Sequence, residues 1–569
     1  MTSRPAAAFA REFIAALAAH GVRDVVLAPG SRSGPLAHAL AAAAGANPPP
    51  HAPSLHLHVR IDERSAGFLA LGLARGRALA GEPSPVAVIT TSGTAVGNLL
   101  PAVMEAHHSG IPLLVVSANR PGELQGVGAN QTTDQEEIFG GFARRSSEAS
   151  APLEGDVPGR ATRLAVRAVR AAMGGEPDED GVPRTPGPVH QDLEFRDPLG
   201  PDDGPWPTSA QVEEWSRTLT PPAHPQPAAH ARSAVPALLA VTEGVVVAGD
   251  GATDAARGLA EAQGWPLLAE PTSGARCGTH AVPDPVGVLA SPAGRALAER
   301  VRTVVVVGRP TLSREVARLI AQAPDLVVAR HGALWRQAPR HARAVLPDVP
   351  AEWLAGTGAD AGADAGADAA RAAWRAQWLE AEAGLDAAPA PDEWSARAVA
   401  CTWVNALATD AVAVVGASGP IRYLDRWAPV WDAGRAPRLV ANRGLAGIDG
   451  TLSTAAGVAL AGGRPVEVLL GDVTAVHEAG GLLVGPLEQR PRVRYLVIND
   501  GGGRIFGGLE HASADPAVFE RVFVTPHGVN FEALCAAYGL AYRRVTSRAE
   551  LAAVLREPVT GMELVEAAV

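Results

Sequence analysis

The sequence predicts an α/β protein built from three doubly wound domains, each with a parallel β-sheet. Short apolar runs alternate with helix-like stretches over the first 200 residues, and the same alternation returns beyond Trp394. Between these regions a Pro-rich break is followed by a smaller set of apolar runs. Repeated strand, helix and strand segments are typical of parallel sheets with crossover helices.

The first domain is predicted over residues 1–200. Its expected strands are apolar runs that end in small or polar residues: DVVLAPG from Asp24, LHLHVRI from Leu55, PVAVITTSG from Pro85, IPLLVVSAN from Ile111 and GPVHQDL from Gly187. The stretches between them predict helices at residues 33–44, 62–80, 93–108 and 158–174. This order indicates a doubly wound sheet.

The central domain is predicted over residues 201–375. The Pro-rich segments DPLGPDDGPWPTS and TPPAHPQPAAH indicate a linker before it. Its expected strands are GVVVAG from Gly244, RTVVVVG from Arg302 and DLVVAR from Asp325. The low-complexity tract from Ala355, AGTGADAGADAGADAA, predicts a solvated linker or a frayed helix at its end.

The third domain is predicted over residues 376–569 and repeats the architecture of the first. Its expected strands are AVAVVGAS from Ala411, RLVANRG from Arg438, PVEVLLGD from Pro465 and RYLVIND from Arg494. A doubly wound fold hosts many chemistries, so function has to be argued from the residues at the strand ends.

Charge and composition limit the partners of this chain. A net charge of −11 argues against generic nucleic-acid binding, which needs clustered cations. No apolar run reaches the roughly 18–20 residues that span a bilayer, and Arg11 and Glu12 interrupt the N-terminal apolar stretch, so no membrane association and a cytoplasmic location are expected. The distant cysteines Cys277, Cys401 and Cys535 predict neither a disulfide framework nor a metal site.

The sequence contains no lysine, so all 49 cationic side chains are arginines. Schiff-base catalysis needs an amine nucleophile, and an ordinary phosphate-binding P-loop needs its lysine. Pyridoxal enzymes, lysine-dependent aldolases and P-loop NTPases are therefore excluded. Arginine remains available for carboxylate ligands, which its planar guanidinium binds through two parallel hydrogen bonds.

Polar residues end two neighbouring strands of the third domain. Gly471 and Asp472 close PVEVLLGD, and Asn499 closes RYLVIND 27 residues after Asp472. Ligands bind at the carboxyl ends of open parallel sheets, and the Gly501 turn offers backbone groups to a diphosphate. Mg²⁺ takes oxygen ligands, which the Asp472 carboxylate, the Asn499 amide and the Gly501 carbonyl would supply. Two ordinary strand-end turns are the alternative.

A second Gly-Asp sequence lies in the central domain, at Gly249, Asp250 and Gly251. No asparagine occurs between Asn130 and Asn405 to complete a comparable ligand set. This segment is therefore interpreted as a turn.

Seven segments in fixed order carry a resemblance to a known family. They are PGSRSGPLAHAL from Pro29, RIDERSAG from Arg60, TSGTAVGNLLPAV from Thr91, SANRPGELQGVGANQTTDQ from Ser117, GPVHQDLEF from Gly187, ASGPIRYLD from Ala417 and ANRGLAGIDGTLSTAAG from Ala441. This set resembles the 2-succinyl-5-enolpyruvyl-6-hydroxy-3-cyclohexene-1-carboxylate synthases, thiamine-diphosphate enzymes of menaquinone biosynthesis. The resemblance covers most of residues 10–200 and 410–510.

The resemblance implies thiamine diphosphate and Mg²⁺, or Mn²⁺, as cofactors. The first, central and third domains would be the pyrimidine-binding, central and diphosphate-binding domains. In the family a buried glutamate protonates the pyrimidine ring of the cofactor, and Glu63 occupies that place. From its position alone, Glu63 could equally be a first-turn charge that complements the helix dipole. Gly471 would contact the diphosphate, Ile448 would support the bent cofactor from below, and Ser418 would also contact the cofactor.

The resemblance also implies a set of substrate-binding residues. Ser418 and Arg422 would hold the distal carboxylate of 2-oxoglutarate, while Ser31, Arg32 and Arg120 would face isochorismate. Asn130 and Gln131 would orient the reacting groups by hydrogen bonds. Arg443 lies within a matching segment, and Arg314 occupies a place where the family commonly has a lysine.

The implied reaction is decarboxylation of 2-oxoglutarate and conjugate addition of the resulting succinic semialdehyde carbanion to isochorismate. The glutamate and the metal-binding aspartate come from different subunits in such enzymes, which implies a homodimer or homotetramer with active sites at the interface. Two alternatives remain open at this point. One is another thiamine-dependent carboligase or 2-oxoacid decarboxylase, resembling acetolactate synthase; the other is a non-catalytic, anion-binding regulatory protein of the same fold.

Overall fold

A computed structural model describes residues 4–175, 185–217, 238–329, 339–354, 365–385, 390 and 393–569. The linker TPPAHPQPAAH and the first ten residues of the tract from Ala355 lie outside the described residues. The rest of that tract begins the helix Ala365–Ala383.

The first sheet contains six parallel strands. They are β1 Asp24–Leu27, β2 His56–Val59, β3 Val86–Thr90, β4 Leu113–Asn119, β5 Ser146–Ala149 and β6 Val189–Glu194, in the order β2-β1-β3-β4-β6-β5. The helices of this region are Pro5–Ala19, Gly34–Ala44, Glu63–Leu79, Thr94–Gly97, Leu100–Ser109, Arg160–Ala172 and Ser209–Arg217. β3, β4 and β6 are buried along their whole length, as expected for a sheet covered on both faces.

The second sheet, in the central region, contains five parallel strands. They are β7 Gly244–Ala248, β8 Leu267–Ala269, β9 Thr303–Val307, β10 Asp325–Ala329 and β11 Ala342–Leu346, in the order β11-β10-β9-β7-β8. The helices of this region are Thr253–Gln263, Pro285–Ala290, Pro292–Arg300, Arg314–Gln322, Ala351–Leu354 and Ala365–Ala383.

The third sheet contains six strands, β12 Val412–Val415, β13 Arg438–Val440, β14 Val466–Gly471, β15 Val493–Asn499, β16 Ala541–Val545 and β17 Met562–Ala568. Their order is β13-β12-β14-β15-β17-β16, and β12 is parallel to both β13 and β14. The helices are Ala396–Ala406, Gly419–Trp427, Thr451–Gly462, Asp472–His477, Pro516–Phe519, Phe531–Tyr538 and Arg548–Leu555.

The first and third sheets have the same topology. Numbered within its own sheet, each runs in the order 2-1-3-4-6-5. The predicted fold class, three α/β domains with parallel sheets, is confirmed, and so is the likeness of the two outer domains. The sequence analysis missed the helix Pro5–Ala19 and the strand β5.

The chain divides into two compact units. Unit 1 comprises the described residues within 1–227, 449–465 and 478–493, and unit 2 comprises those within 228–448, 466–477 and 494–569. Unit 1 contains the first sheet, and unit 2 contains the second sheet and nearly all of the third. The predicted domain boundaries near residues 200 and 375 stay a prediction. Among the described helices, none combines the length and apolar character that crossing a bilayer requires.

Two helices of unit 1, Glu63–Leu79 and Thr451–Gly462, pack backbone against backbone. A Cβ added to Gly72 would lie 2.1 Å from the Thr454 carbonyl oxygen. A Cβ added to Gly457 would lie 2.4 Å from the Leu69 carbonyl oxygen. Only glycine permits this approach, because any side chain would overlap the facing backbone.

We expect Gly457→Ala to lower the free energy of unfolding by about 1–3 kcal/mol, because the added methyl group meets backbone that cannot move aside. Urea unfolding of the two proteins measures the difference. Gly462→Ala in the same helix is the matched control, since a Cβ there would meet no atom within 4 Å. Equal stability of the Gly457→Ala variant and the wild type would contradict the close packing.

Candidate functional site

The polar residues at the ends of β14 and β15 lie at one edge of the third sheet. β14 ends at Gly471, and Asp472 begins the short helix that follows it. The neighbouring strand β15 ends at Asn499. Since parallel neighbours present their carboxyl ends on the same side, the two residues share one edge.

Asp472 is buried, with 1% of its surface exposed, and both its carboxylate oxygens are held. Oδ1 accepts a hydrogen bond from the Val473 N–H (2.6 Å), and Oδ2 accepts one from the Gly502 N–H (2.8 Å). His527 Nε2 lies 3.2 Å from Oδ2. Gly502 has φ +134°, and a Cβ there would lie 2.3 Å from the Val524 carbonyl oxygen, so the turn requires glycine.

The amide of Asn499 is oriented by a carboxylate on β17. Its Nδ2 donates to Glu566 Oε1 (2.7 Å), and its Oδ1 accepts from the Gly501 N–H (3.3 Å). Glu566 Oε2 accepts in turn from the Tyr542 hydroxyl. Burial and the bond to Glu566 raise the pKa of Tyr542, so the tyrosine remains a donor. This arrangement turns the amide oxygen of Asn499 away from Glu566.

A cavity of about 160 Å³ opens at this sheet edge. Its lining includes Ser418, Ile448, Gly471, Asp472 and Asp500. Ser418 has φ +70°, a left-handed conformation that is costly for a residue with a side chain and is found mainly at functional sites. The three predicted residues Ser418, Ile448 and Gly471 therefore line one cavity with Asp472.

Oxygen atoms at this sheet edge are of the kind that binds a hard divalent cation. Burial, and then the charge of Asp472, raise the pKa of Asp500 to about 6. Carboxylate, amide and backbone oxygens are the ligands that Mg²⁺ prefers. Asp472 and Asn499 supply oxygens of this kind at one sheet edge, directly before the Gly501 turn. The metal-binding role of Asp472, Asn499 and Gly501 stays a prediction.

The Gly-Asp sequence of the central sheet has a different setting. Asp250 forms a bridge with Arg309 through two backbone hydrogen bonds of 3.1 and 3.0 Å. A Cβ added to Gly249 would lie 2.0 Å from the Arg309 carbonyl carbon. The conformation of this turn is explained by its close backbone packing.

In unit 1, Glu63 begins the helix that follows β2 and lies directly after the N-cap Asp62. Its Oε2 accepts a hydrogen bond from Asn98 Nδ2 (3.0 Å). The sequence analysis missed Asn98, whose only signal was its place in the segment TSGTAVGNLLPAV. An amide donor at this carboxylate fixes its direction, which a purely electrostatic cap of a helix does not require.

Two predicted substrate residues of unit 1, Arg32 and Arg120, lie close enough to repel each other. Burial and the charge of Arg32 lower the pKa of Arg120. Arg32 Nη1 donates to the Phe195 carbonyl oxygen (2.8 Å), and the largely exposed Asp197 lies 3.5 Å away. The exposed Ser31 is next to Arg32 in the chain. Paired guanidinium groups form a site that attracts an anion.

Gln131 adopts a left-handed backbone conformation with φ +56°. Its carbonyl oxygen accepts from the Ser92 hydroxyl (2.9 Å) and from Arg120 Nη1 (3.0 Å), and its Nε2 donates to the Ser92 carbonyl oxygen (2.8 Å). Asn130, directly before it, is exposed. The strained loop is therefore tied to both Ser92 and Arg120.

The buried carboxylate of Asp192, which was not predicted from the sequence, supports the Gln131 loop through Gln135. Asp192 on β6 accepts from Ser117 Oγ (2.5 Å), Asn119 Nδ2 (2.7 Å) and Gln135 Nε2 (2.9 Å). Gln135 Oε1 then accepts from the Gly93 N–H (2.8 Å), next to Ser92. Burial raises the pKa of Asp192 to about 6 despite the three donors. Three donors on one buried group make a rigid support.

In unit 2, Arg422 and Arg443 form a second arginine pair. Arg422, on the helix Gly419–Trp427, donates to the Ser418 carbonyl oxygen (2.7 Å). Arg443 is buried, with 3% exposed, and follows β13. Burial and the charge of Arg443 lower the pKa of Arg422, while the charge of Asp425 acts in the opposite direction, so the three groups belong to one charged cluster. The pair lies beside Ser418, which lines the cavity.

Arg314 has a different environment. It begins the helix Arg314–Gln322, its side chain is 68% exposed, and it pairs with the exposed Glu510 at 2.9 Å. The structure therefore places this residue on the surface of unit 2. Its substrate-binding role stays a prediction.

Comparison with known proteins places the chain among the thiamine pyrophosphate enzymes. Two family models match the chain: the thiamine pyrophosphate enzyme N-terminal TPP binding domain over residues 8–138, and the C-terminal TPP binding domain over residues 425–566.

Similarity over nearly the whole chain narrows the class. The chain is 46% identical to a 2-succinyl-5-enolpyruvyl-6-hydroxy-3-cyclohexene-1-carboxylate synthase of Kineococcus radiotolerans, over 99% of this chain and 95% of that protein. Proteins of the same name from Nocardioides sp. (43%; 99% and 95%) and Renibacterium salmoninarum (42%; 98% and 93%) are also similar. The chain belongs to the 2-succinyl-5-enolpyruvyl-6-hydroxy-3-cyclohexene-1-carboxylate synthase family, which confirms the resemblance found in the sequence.

Proposed function

We propose that this chain catalyses the thiamine-diphosphate-dependent decarboxylation of 2-oxoglutarate and the addition of the remaining four-carbon unit to isochorismate. The products are 2-succinyl-5-enolpyruvyl-6-hydroxy-3-cyclohexene-1-carboxylate and CO₂, in menaquinone biosynthesis. The observation that carries the choice of substrates is the similarity, over nearly the whole chain, to synthases of this name. Two groups of arginines, Arg32 with Arg120 and Arg422 with Arg443, agree with it. Each substrate has two carboxylates, and a buried carboxylate without a cation costs several kcal/mol.

The cofactor site is assigned to the edge of the third sheet. Asp472, Asn499 and the Gly501 carbonyl would hold Mg²⁺, or Mn²⁺, and the glycine turn would face the diphosphate. Gly471 and Ile448 would line the cofactor site, since both line the same cavity as Asp472. Bound thiamine diphosphate supplies a carbon nucleophile and an electron sink for the decarboxylation.

Glu63 is assigned the proton exchange with the pyrimidine ring. The amide of Asn98 donates to one of its oxygens and leaves the other for a ring nitrogen. A carboxyl group placed within hydrogen-bond reach of that nitrogen can hold or release a proton as the reaction requires. Asn98 thus orients the proton-exchanging carboxyl group.

The arginine pairs divide the substrates between them. Arg422 and Ser418 would bind the distal carboxylate of 2-oxoglutarate, with Arg443 beside them, and Ser31, Arg32 and Arg120 would bind isochorismate. Gln131 and Asn130 would direct the reacting groups by hydrogen bonds. Because the Gln131 loop is tied to Ser92 and Arg120, its geometry is set before the substrate arrives.

Two copies of the chain would complete each active site, one supplying Glu63 and the other Asp472. This arrangement follows from the resemblance to thiamine enzymes and predicts a homodimer or a homotetramer. The expected cytoplasmic location also stays a prediction.

Two rival functions differ from this one in what they require. An acetolactate-synthase-like carboligase or simple 2-oxoacid decarboxylase needs fewer carboxylate-binding groups than the two arginine pairs provide. A non-catalytic anion-binding protein would not need the oriented Glu63 carboxylate. Both rivals are therefore less well supported.

Incubation of the purified protein with thiamine diphosphate, Mg²⁺, 2-oxoglutarate and isochorismate tests the function. We expect CO₂ release and an adduct of both substrates, seen by mass spectrometry. CO₂ release with pyruvate in preference to 2-oxoglutarate would favour the carboligase rival. Failure to bind the cofactor in calorimetry would favour the regulatory rival.

We expect Asp472→Asn to weaken Mg²⁺-dependent binding of thiamine diphosphate by at least about tenfold, because an amide is a poorer ligand for a hard cation than a carboxylate. Calorimetry in the presence of Mg²⁺ measures it. Asp250→Asn, at the Gly-Asp sequence of the central sheet, is the matched control and should bind like the wild type. Equal losses in both variants would remove Asp472 from the cofactor site.

We expect Glu63→Gln to lower kcat by about 10²–10⁴-fold while cofactor affinity changes little, because glutamine cannot exchange a proton with the pyrimidine ring. Rates of CO₂ release at saturating 2-oxoglutarate measure kcat. Glu82→Gln, at a side chain that is 74% exposed in the same unit, is the control. Full activity of the Glu63→Gln enzyme would exclude this role.

We expect Arg422→Ala to raise the KM for 2-oxoglutarate by at least about 30-fold, because it leaves a bound carboxylate without its cation. The KM for isochorismate should change much less. Initial rates at varied concentrations of each substrate separate the two effects. Arg435→Ala, at a 70% exposed arginine of the same unit, is the control. An unchanged KM would place the 2-oxoglutarate site elsewhere.

A further inference from the structure

The central sheet borders the segments that carry Arg422 and Arg443. Leu312, in the loop after β9, is buried in the same hydrophobic core as Val415 and Ile421 of the third sheet region. Arg276, buried after β8, donates from Nη2 to the Ala428 carbonyl oxygen (3.1 Å), at the end of the Arg422 helix. The loops at this end of the central sheet are thus built into the region that holds the arginine pair.

One residue of the central region contacts Arg443 directly. Arg443 Nη2 donates to Thr311 Oγ1 (2.6 Å). Arg443 is 3% exposed, and its Nε has no hydrogen-bond partner. Among the described residues, the Thr311 hydroxyl makes the shortest hydrogen bond with the Arg443 guanidinium. This hydroxyl therefore sets the direction of the guanidinium.

Thr311 is itself fixed by a buried carboxyl group. Glu270, directly after β8, accepts at Oε1 from the Thr311 N–H (2.6 Å) and the Leu312 N–H (2.7 Å). Glu270 is 5% exposed, and its Oε2 has no hydrogen-bond partner. A half-satisfied buried carboxyl group costs stability, so hydrogen bonding within the fold alone does not explain it.

The charge state of Glu270 suits this arrangement. Burial, and then the charge of Asp425, raise the pKa of Glu270 to about 8, which favours its protonated form. The positive charge of Arg443 acts on both Glu270 and Asp425, and that of Arg276 acts on Asp425. A neutral acceptor can hold the Thr311 loop without competing for the charge of Arg443. Arg443 therefore shares its charge with Asp425 but not with a protonated Glu270.

The charges around the pair show what this support adds. Arg422 and Arg443 repel each other, and each long side chain has many rotamers. The buried Asp425 acts on both guanidinium groups and offsets part of the repulsion. A hydroxyl that holds Arg443 in place reduces the cost of ordering the pair around a ligand.

We propose that Thr311, held by Glu270, is a positioning residue for Arg443, and that through it the central sheet sets the affinity for the carboxylate of the 2-oxo acid. The inference rests on the proposed function for the identity of that substrate. It gives the central domain a part in substrate binding.

Thr311→Val tests the inference because it keeps the side-chain shape and removes only the hydroxyl. Binding of glutarate, which has the two carboxylates of 2-oxoglutarate but no keto group, is measured by calorimetry on the protein loaded with thiamine diphosphate and Mg²⁺. We expect about tenfold weaker binding, and about a tenfold higher KM for 2-oxoglutarate at nearly unchanged kcat. Thr311→Ser, which restores the hydroxyl, should recover both values.

Thr303→Val is the matched control at the opposite end of β9. The Thr303 hydroxyl is buried and donates to the Leu238 carbonyl oxygen (2.8 Å), so its loss affects stability without touching Arg443. Equal glutarate affinity in Thr311→Val and the wild type, or equal losses in Thr311→Val and Thr303→Val, would overturn the inference. If the wild type binds glutarate in a Thr311-dependent way but releases no CO₂ from 2-oxoglutarate, the proposed function is overturned instead.

Discussion

The parallel pairing of strands in the third sheet is the constraint on which the cofactor site depends. Asp472 and Asn499 share an edge because β14 and β15 are neighbours, and β17 on the other side of β15 brings Glu566 to the same amide. The glycine turn at Gly502 then closes on the Asp472 carboxylate. Three separate stretches of chain meet at one point because the strand order places them there.

The same logic explains how much of the site could be predicted from the sequence. Strand-end positions are visible as an apolar run followed by a polar residue, so Asp472 and Asn499 could be found without a structure. Glu566 and Tyr542 could not, because each lies within a strand and contacts Asn499 or its partner only through the pairing of distant strands. Asp192 is similar, since the sequence does not reveal which donors surround a buried carboxylate.

The buried central strands were predicted more completely than the strands at the sheet edges. Long Val-rich runs, such as those of β7 and β9, identify buried parallel strands directly. β5 was missed because its sequence SSEA has no apolar pattern and forms at the sheet edge beside β6. Arg314 shows what a resemblance leaves open: the family likeness implied a substrate contact, the side chain pairs with Glu510 on the surface of unit 2, and the substrate role stays a prediction.

The glycine contact between the helices Glu63–Leu79 and Thr451–Gly462 has a mechanical consequence. Side chains in a core can change rotamer. Two helices whose backbones touch at Gly72 and Gly457 have little room to move relative to each other. Glu63 is the first residue of the helix Glu63–Leu79, so its carboxyl group is attached to a closely packed helix. The backbone that carries Glu63 is therefore held by packing, and the position of its carboxyl group changes chiefly through the rotamers of its own side chain.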